Sequence, residues 1–177
     1  MQARGPLMIE HRLIENMIAL IKRELKQIET TNQVDPLMID KFVDFIRVYA
    51  DRTHHGKEED ILFKKLENKN MSDQDKQLME ELIAEHLLGR QTTKELVEAN
   101  AKYRSGDKPA LTLVAAKLHS LADFYPQHIV KEDKVFFPAY GKYFTEQEDQ
   151  SMLKEFWEFD RKMIHEKYRS VIQELEG

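Results

Sequence analysis

The sequence contains no cysteine and few chain-breaking residues, with six glycines and five prolines in 177 positions. The missing cysteine excludes disulfides, zinc–thiolate sites and cysteine nucleophiles, and it accords with a reducing compartment. So few glycines and prolines leave room for few turns, hence few and long elements. No apolar run approaches the ~20 residues of a membrane span. The stretch from Met1 to Pro6 is short and polar, unlike a signal peptide. The expectation is therefore a cytoplasmic protein without a membrane partner. Basic residues number 27 against 32 acidic ones and form no dense tract, so no nucleic-acid partner is expected.

What the chain does contain is helical periodicity. A first segment, from about Leu7 to Thr30, places Leu7, His11, Ile14, Ile18, Ile21, Leu25 and Ile28 at alternating steps of four and three, one face of a helix. A second opens at Asp35-Pro36, an N-cap followed by a first-turn proline. It carries Phe42, Ile46, Ala50, His54, Glu58 and Leu62 and fades near Asn68. A third opens at Ser72-Asp73-Gln74-Asp75, close to a capping box, and presents Met79, Leu82, His86, Thr93 and Leu96. A fourth, from near Asp107 to Pro138, presents Val114, Leu118, Leu121, Tyr125, His128, Glu132 and Phe136, with Pro126 expected to kink it before His128. A fifth opens at the capping box Thr145-Glu146-Gln147-Glu148 and carries a stripe of Leu153, Trp157, Ile164, Tyr168 and Leu175. The pattern predicts an all-α protein: an up-down-up-down four-helix bundle over about 7–138 with an additional C-terminal helix over about 145–175, in a single domain spanning 1–177.

Six ionisable residues, His11, His54, Glu58, His86, His128 and Glu132, fall on these apolar stripes rather than on solvent faces. Six buried polar groups need partners, which can be each other, water or metal. His54/Glu58 and His128/Glu132 repeat one i, i+4 pair that sets imidazole and carboxylate a turn apart on one face. Counting outward from the turns, His11 and His54 each lie about 21 residues from the first, His54 and His86 about 16 from the second, and His86 and His128 about 20 from the third. At about 1.5 Å per residue the four histidines share one height. A lone histidine on an apolar face is usually a hydrogen-bonded core residue; four at one level with two carboxylates point to a metal site.

The ordered set resembles the hemerythrin-like HHE cation-binding domains. The residues that carry the resemblance are Glu10-His11, the run His54-His55-Gly56-Lys57-Glu58-Glu59-Asp60-Ile61-Leu62-Phe63, Glu85-His86 with Gly89-Arg90, and His128-Ile129-Val130-Lys131-Glu132-Asp133 before Phe137-Pro138. It covers about residues 7–140 and implies two iron ions in an oxygen-bridged site with both carboxylates bridging. Hemerythrins proper carry a second histidine one turn after that of the third helix, where this chain has Arg90, and an aspartate where it has Glu132. His55 is the nearest candidate for the fifth imidazole, although it lies about 100° round the helix from His54 and is expected to face a neighbouring helix.

Other residues have weaker expected parts. Tyr125 shares the stripe of His128, as a core tyrosine or a hydrogen-bond donor to the site. Gly89 leaves space beside the metals. Glu10, Glu85 and Asp133 adjoin candidate ligands and can orient imidazoles; His55 and Glu59 form either a solvated or a supporting pair. His119 and His165 read as surface residues.

Imidazole and carboxylate without thiolate suit iron, with zinc or manganese as possible substitutes. Such binding weakens at acid pH, because it needs neutral imidazole and ionised carboxylate. Site and resemblance together imply a non-haem di-iron protein that binds a small diatomic ligand, dioxygen or nitric oxide, as carrier, store or sensor. The alternative is a di-iron enzyme acting in iron oxidation, peroxide turnover or iron-centre repair.

Overall fold

A computed structural model describes residues 2–176 and is helical throughout, without strands among the described residues. Helix α1 is Arg4–Thr31 and α2 runs continuously over 36–67. Helix α3 is Asp73–Arg104, α4 runs over 110–140, and α5 is Glu146–Glu176. Long stretches of α2, Ile46–His55 and Glu58–Phe63, are wound as π-helix, as is Glu132–Phe136 in α4. Pro126 lies within the regular part of α4, Ala110–Lys131, and does not end it.

The helix boundaries follow from local chemistry. Asn32 closes α1 in the left-handed conformation, φ 50°, with its N–H bonded to Ile28 O at 2.8 Å. The Asp35 carboxylate accepts from the Leu37 N–H at 2.9 Å and Pro36 occupies the first turn of α2. Ser72 Oγ accepts from the Asp75 N–H at 3.2 Å and donates to the Asp75 carboxylate at 2.8 Å, so aspartate closes a variant of the capping box. Gly106, at φ 103°, allows the turn between α3 and α4. At α5, Thr145 Oγ1 accepts from the Glu148 N–H while Glu148 Oε2 accepts from the Thr145 N–H.

The stripes of the first four segments are buried as expected, and they build two apolar clusters. One holds Ile14 to Ile28 of α1, Ile39 to Ala50 of α2, Leu96 to Tyr103 of α3 and Ala110 to Ile129 of α4. The other holds Leu7 of α1, Leu62 to Leu66 of α2, Met79 and Leu82 of α3, Phe136 to Tyr140 of α4, and Met152, Leu153 and Phe156 of α5. Between them, every one of the first four helices places its candidate ligands: His11, then His54 to Glu58, His86, and His128 with Glu132. The shared height of the histidines is thus visible as a polar layer that divides the core.

Helix α5 packs against the middle of α2, but in a different phase from the expected stripe. Met152, Leu153, Phe156 and Met163 are buried, whereas Trp157, Ile164 and Tyr168 are 50–64% exposed. Only Leu153 of the stripe is in the core; the Leu175 side chain lies outside the described residues. The seat on α2 is narrow and Gly56 sits at its centre: a Cβ built there would meet the Phe159 ring at 2.8 Å.

Candidate metal centre

The polar layer has two halves. Ligand atoms of His11, His54, Glu58 and Glu132 lie within 4.8 Å of one another, and so do those of His55, His86 and His128. The two carboxylates span the halves. Glu132 Oε2 is 3.0 Å from His11 Nε2, while its Oε1 is 3.2 Å from His128 Nε2 and 3.6 Å from His86 Nε2. Glu58 Oε2 lies 3.7 Å from His54 Nε2 and 3.5 Å from His86 Nε2. All seven side chains are at most 2% exposed.

His55 departs from its expected direction. It points into the bundle, stacked on the His86 ring at 3.8 Å and edge-on to the His128 ring at 5.5 Å. The π-winding of Ile46–His55 contributes to this. Its i→i+5 bonding advances each residue less far round the axis, so consecutive His54 and His55 both face inward. Arg90, one turn beyond His86, offers the layer no lone pair. It donates from Nε to Asp51 at 2.8 Å and from Nη2 to Glu59 at 2.6 Å.

Each imidazole is oriented from outside by a carboxylate on its Nδ1. His11 pairs with Asp133, His54 with Glu10 and His128 with Glu85, each at 2.8 Å, and His86 pairs with Glu59 at 2.7 Å. His55 faces Asp51 at a longer 3.4 Å. The acidic neighbours Glu10, Glu85 and Asp133 thus do orient imidazoles, but those of other helices rather than of their chain neighbours. Glu59 serves His86, not His55. Behind the carboxylates stand cations: Arg12 on Asp133, Lys57 on Glu10, Arg90 on Asp51 and Glu59, and Lys131 on Glu85. Asp51, Arg12, Lys57 and Lys131 carry no signal in the sequence beyond their helical offset from a histidine.

A carboxylate on Nδ1 fixes the tautomer. Nδ1 carries a proton, and in the neutral imidazole Nε2 presents a lone pair to the interior. The Nε2 atoms of His11 and His54 then face each other at 2.9 Å, lone pair to lone pair, which is unfavourable unless a cation or proton stands with them. Nε2 of His55, His86 and His128 and both oxygens of Glu58 and Glu132 are buried without a hydrogen-bond partner. So many orphaned donors of electron pairs, all nitrogen or oxygen and all convergent, fit divalent cations.

The electrostatics carry the same tension. Burial, and then the neighbouring Glu132 carboxylate, push the Glu58 carboxyl well above the usual range. For Glu132, burial is outweighed by His128, His11 and His86, which hold it well below that range. Burial pulls His54 down to about 4 and His55 well below the usual imidazole range. Burial also opposes the charge on His11, but Asp133 and Glu132 overcome it and raise that imidazole to about 9.

A cavity of about 90 Å³ lies beside His55 and His86, bounded by Asp51, Gly89, Arg90, Thr93 and Tyr125 among others. Gly89 and Tyr125 therefore border the site. Burial raises the Tyr125 phenol, which remains protonated at neutral pH. His119 is half exposed, 3.6 Å from Glu29, and His165 is exposed; both lie outside the layer.

A helical bundle with a buried layer of histidines and carboxylates, each imidazole braced by an acid, is the class of a cation-binding helical domain. Residues 6–140 match the Hemerythrin HHE cation binding domain family, and the chain belongs to it. It is also similar to an uncharacterized protein of Mycobacterium bovis and to uncharacterized proteins from two strains of Mycobacterium tuberculosis. Each is 22% identical over 171 residues, 96% of this chain. The chain spans 66% of the length of these curated relatives. No solved structure gives a significant match. Among the described residues no helix is long and apolar enough to cross a membrane.

Proposed function

We propose that this chain holds a dinuclear iron centre and binds dioxygen or nitric oxide there, as a carrier, store or sensor. His11 and His54 would hold one metal, His55, His86 and His128 the other, and Glu58 and Glu132 would bridge. The observation that carries this reading is the set of buried Nε2 and carboxylate atoms that converge without protein partners while each Nδ1 is braced by an acid. The two groups offer two imidazoles and three, so the first would leave a bound metal more room for a small molecule. Bound iron would supply a redox-active Lewis acid. The protein's part is to hold the imidazoles in one tautomer, to keep Glu132 ionised, and to exclude bulk water with the two apolar clusters, while a bound cation would draw the proton off Glu58.

In this reading the bundle and α5 form one hemerythrin-like domain. The up-down-up-down order is supported by the way successive helices visit the two apolar clusters in alternating order. The cysteine-free sequence suits a cytoplasmic setting.

The test is reconstitution with ferrous iron under argon, followed by oxygen. Two irons per chain and a new near-ultraviolet and visible band are expected, with the band lost again under vacuum. A chain that takes up no iron overturns the reading. Iron uptake with irreversible oxygen consumption would replace it with the enzymatic one, in iron oxidation, peroxide turnover or iron-centre repair.

A further inference from the structure

Lys57 has no solvent exposure, yet it is a lysine in a helix whose neighbouring turns carry candidate ligands. Its ammonium lies between two carboxylates, Glu10 of α1 and Asp160 of α5, the latter at 2.6 Å. The other oxygen of Glu10 accepts the Nδ1 proton of His54 at 2.8 Å. A continuous chain of charged hydrogen bonds therefore runs from the surface of α5 to one inward-facing imidazole: Asp160, Lys57, Glu10, His54.

The other cations behind the imidazoles differ from Lys57 on two counts. Arg12, Arg90 and Lys131 are 55%, 34% and 30% exposed in their side chains, so water shares the work of stabilising them. Among the described residues, none of those three makes an ion pair with α5. Lys57 is fully buried and ion-paired with α5 through Asp160, and α5 approaches so closely at the adjacent Gly56 that a Cβ there would touch Phe159. If α5 lifts, Lys57 loses Asp160 and gains water, and the brace on His54 changes with it. Helix α5 also lies beyond residue 140, where the family match ends, so the features shared with the family do not account for this contact.

We propose that Lys57 is a positioning residue that couples the docking of α5 to metal held at His54. The proposal rests on the metal-centre reading above. A cation on Nε2 draws electron density through the imidazole and makes Nδ1–H a stronger donor to Glu10. That fixes Glu10, Lys57 and Asp160 in turn. Because coupling is reciprocal, metal tightens α5 and docked α5 retains metal by the same factor. The chain can thereby report the state of a buried centre on an outer helix.

The experiment is hydrogen–deuterium exchange of peptides covering residues 152–164, in the full chain with and without ferrous iron under argon. It is paired with the rate of iron release to a chelator. In the wild type, iron should slow exchange in α5 by about five-fold or more. Lys57→Met should abolish that dependence and speed iron release. Asp160→Asn, a change at a partly exposed position that is safer for folding, should weaken both. Lys167→Ala, which breaks only the outer pair with Asp44, should keep the dependence. A general loss of packing would raise exchange equally with and without iron, which distinguishes it from coupling. Iron-loaded wild type whose α5 exchanges as fast as the iron-free chain overturns this proposal alone, as does full dependence in either Lys57→Met or Asp160→Asn. A wild type that binds no iron overturns the metal-centre reading and this proposal together.

Discussion

At the scale of single residues, the centre is an arrangement of tautomers. Five imidazoles each spend Nδ1 on an acid and so have one lone pair left for the interior. His55→Leu should remove one of the three nitrogens on its side and leave about one tightly held metal per chain, read by elemental analysis after desalting; retention of two equally tight metals would show that His55 is not a ligand. Glu59→Ala takes away the acid that braces His86 and one partner of Arg90. Loss of such a brace weakens metal affinity by about 10–100-fold, measurable by chelator competition. The inward residues were legible because an ionisable group on an apolar stripe is conspicuous. Their braces were not. Glu10, Glu85 and Asp133 stand beside ligands in sequence but serve histidines of other helices, and one chain position does not reveal which helix lies across from it. The direction of His55 was illegible for another reason: a 100° step assumes α-helical winding, and the chain is π-wound there.

At the scale of elements, the first four helices were readable end to end, since caps and stripes agree. The fifth packs in a different phase from its expected stripe. Its apolar residues lie on more than one side, and only contact with α2 selects Met152, Leu153, Phe156 and Met163. This makes a direct comparison possible. Phe156→Ala, at a fully buried site, should cost about 3–5 kcal/mol in urea unfolding. Trp157→Ala, half exposed, should stay within about 0.5 kcal/mol. Similar costs for both would mean that the helix packs in the other phase. The start of α3 offers a pH test. Lys142 at 2.6 Å, then Tyr143 and Ser72, hold the Asp75 carboxyl down to about 2. A carboxyl lowered on folding stabilises above its unfolded value of about 3.9, and that contribution is lost as pH falls toward 2. The stability gap between metal-free wild type and Asp75→Asn should therefore be widest near neutral pH and shrink between about pH 4 and pH 2. A gap independent of pH would assign the effect to the cap geometry rather than to charge.

At the scale of the whole molecule, the core is two apolar clusters with a polar layer between, and the layer decides how the fold responds to metal. Without a cation, orphaned nitrogens and oxygens sit in a low-dielectric interior, which destabilises the folded chain. A metal that binds only the folded state removes this burden and adds its own binding free energy. One site at a hundred-fold excess over its Kd contributes about 2.7 kcal/mol, which for a chain of this size raises Tm by about 5–11 °C. Ferrous iron under argon should therefore raise Tm with concentration, and a chelator should reverse the shift. The double substitution His54→Leu/His128→Leu separates this from ordinary packing. It replaces one imidazole on each side of the layer by an apolar side chain, so its Tm should no longer respond to metal. Its metal-free Tm should fall below that of the metal-free wild type, because Glu10 and Glu85 lose the imidazoles they brace and removing one partner of a buried pair is destabilising. If instead the Tm of the double variant still rises with ferrous iron as that of the wild type does, the metal is held elsewhere and the layer is a structural network rather than a binding site.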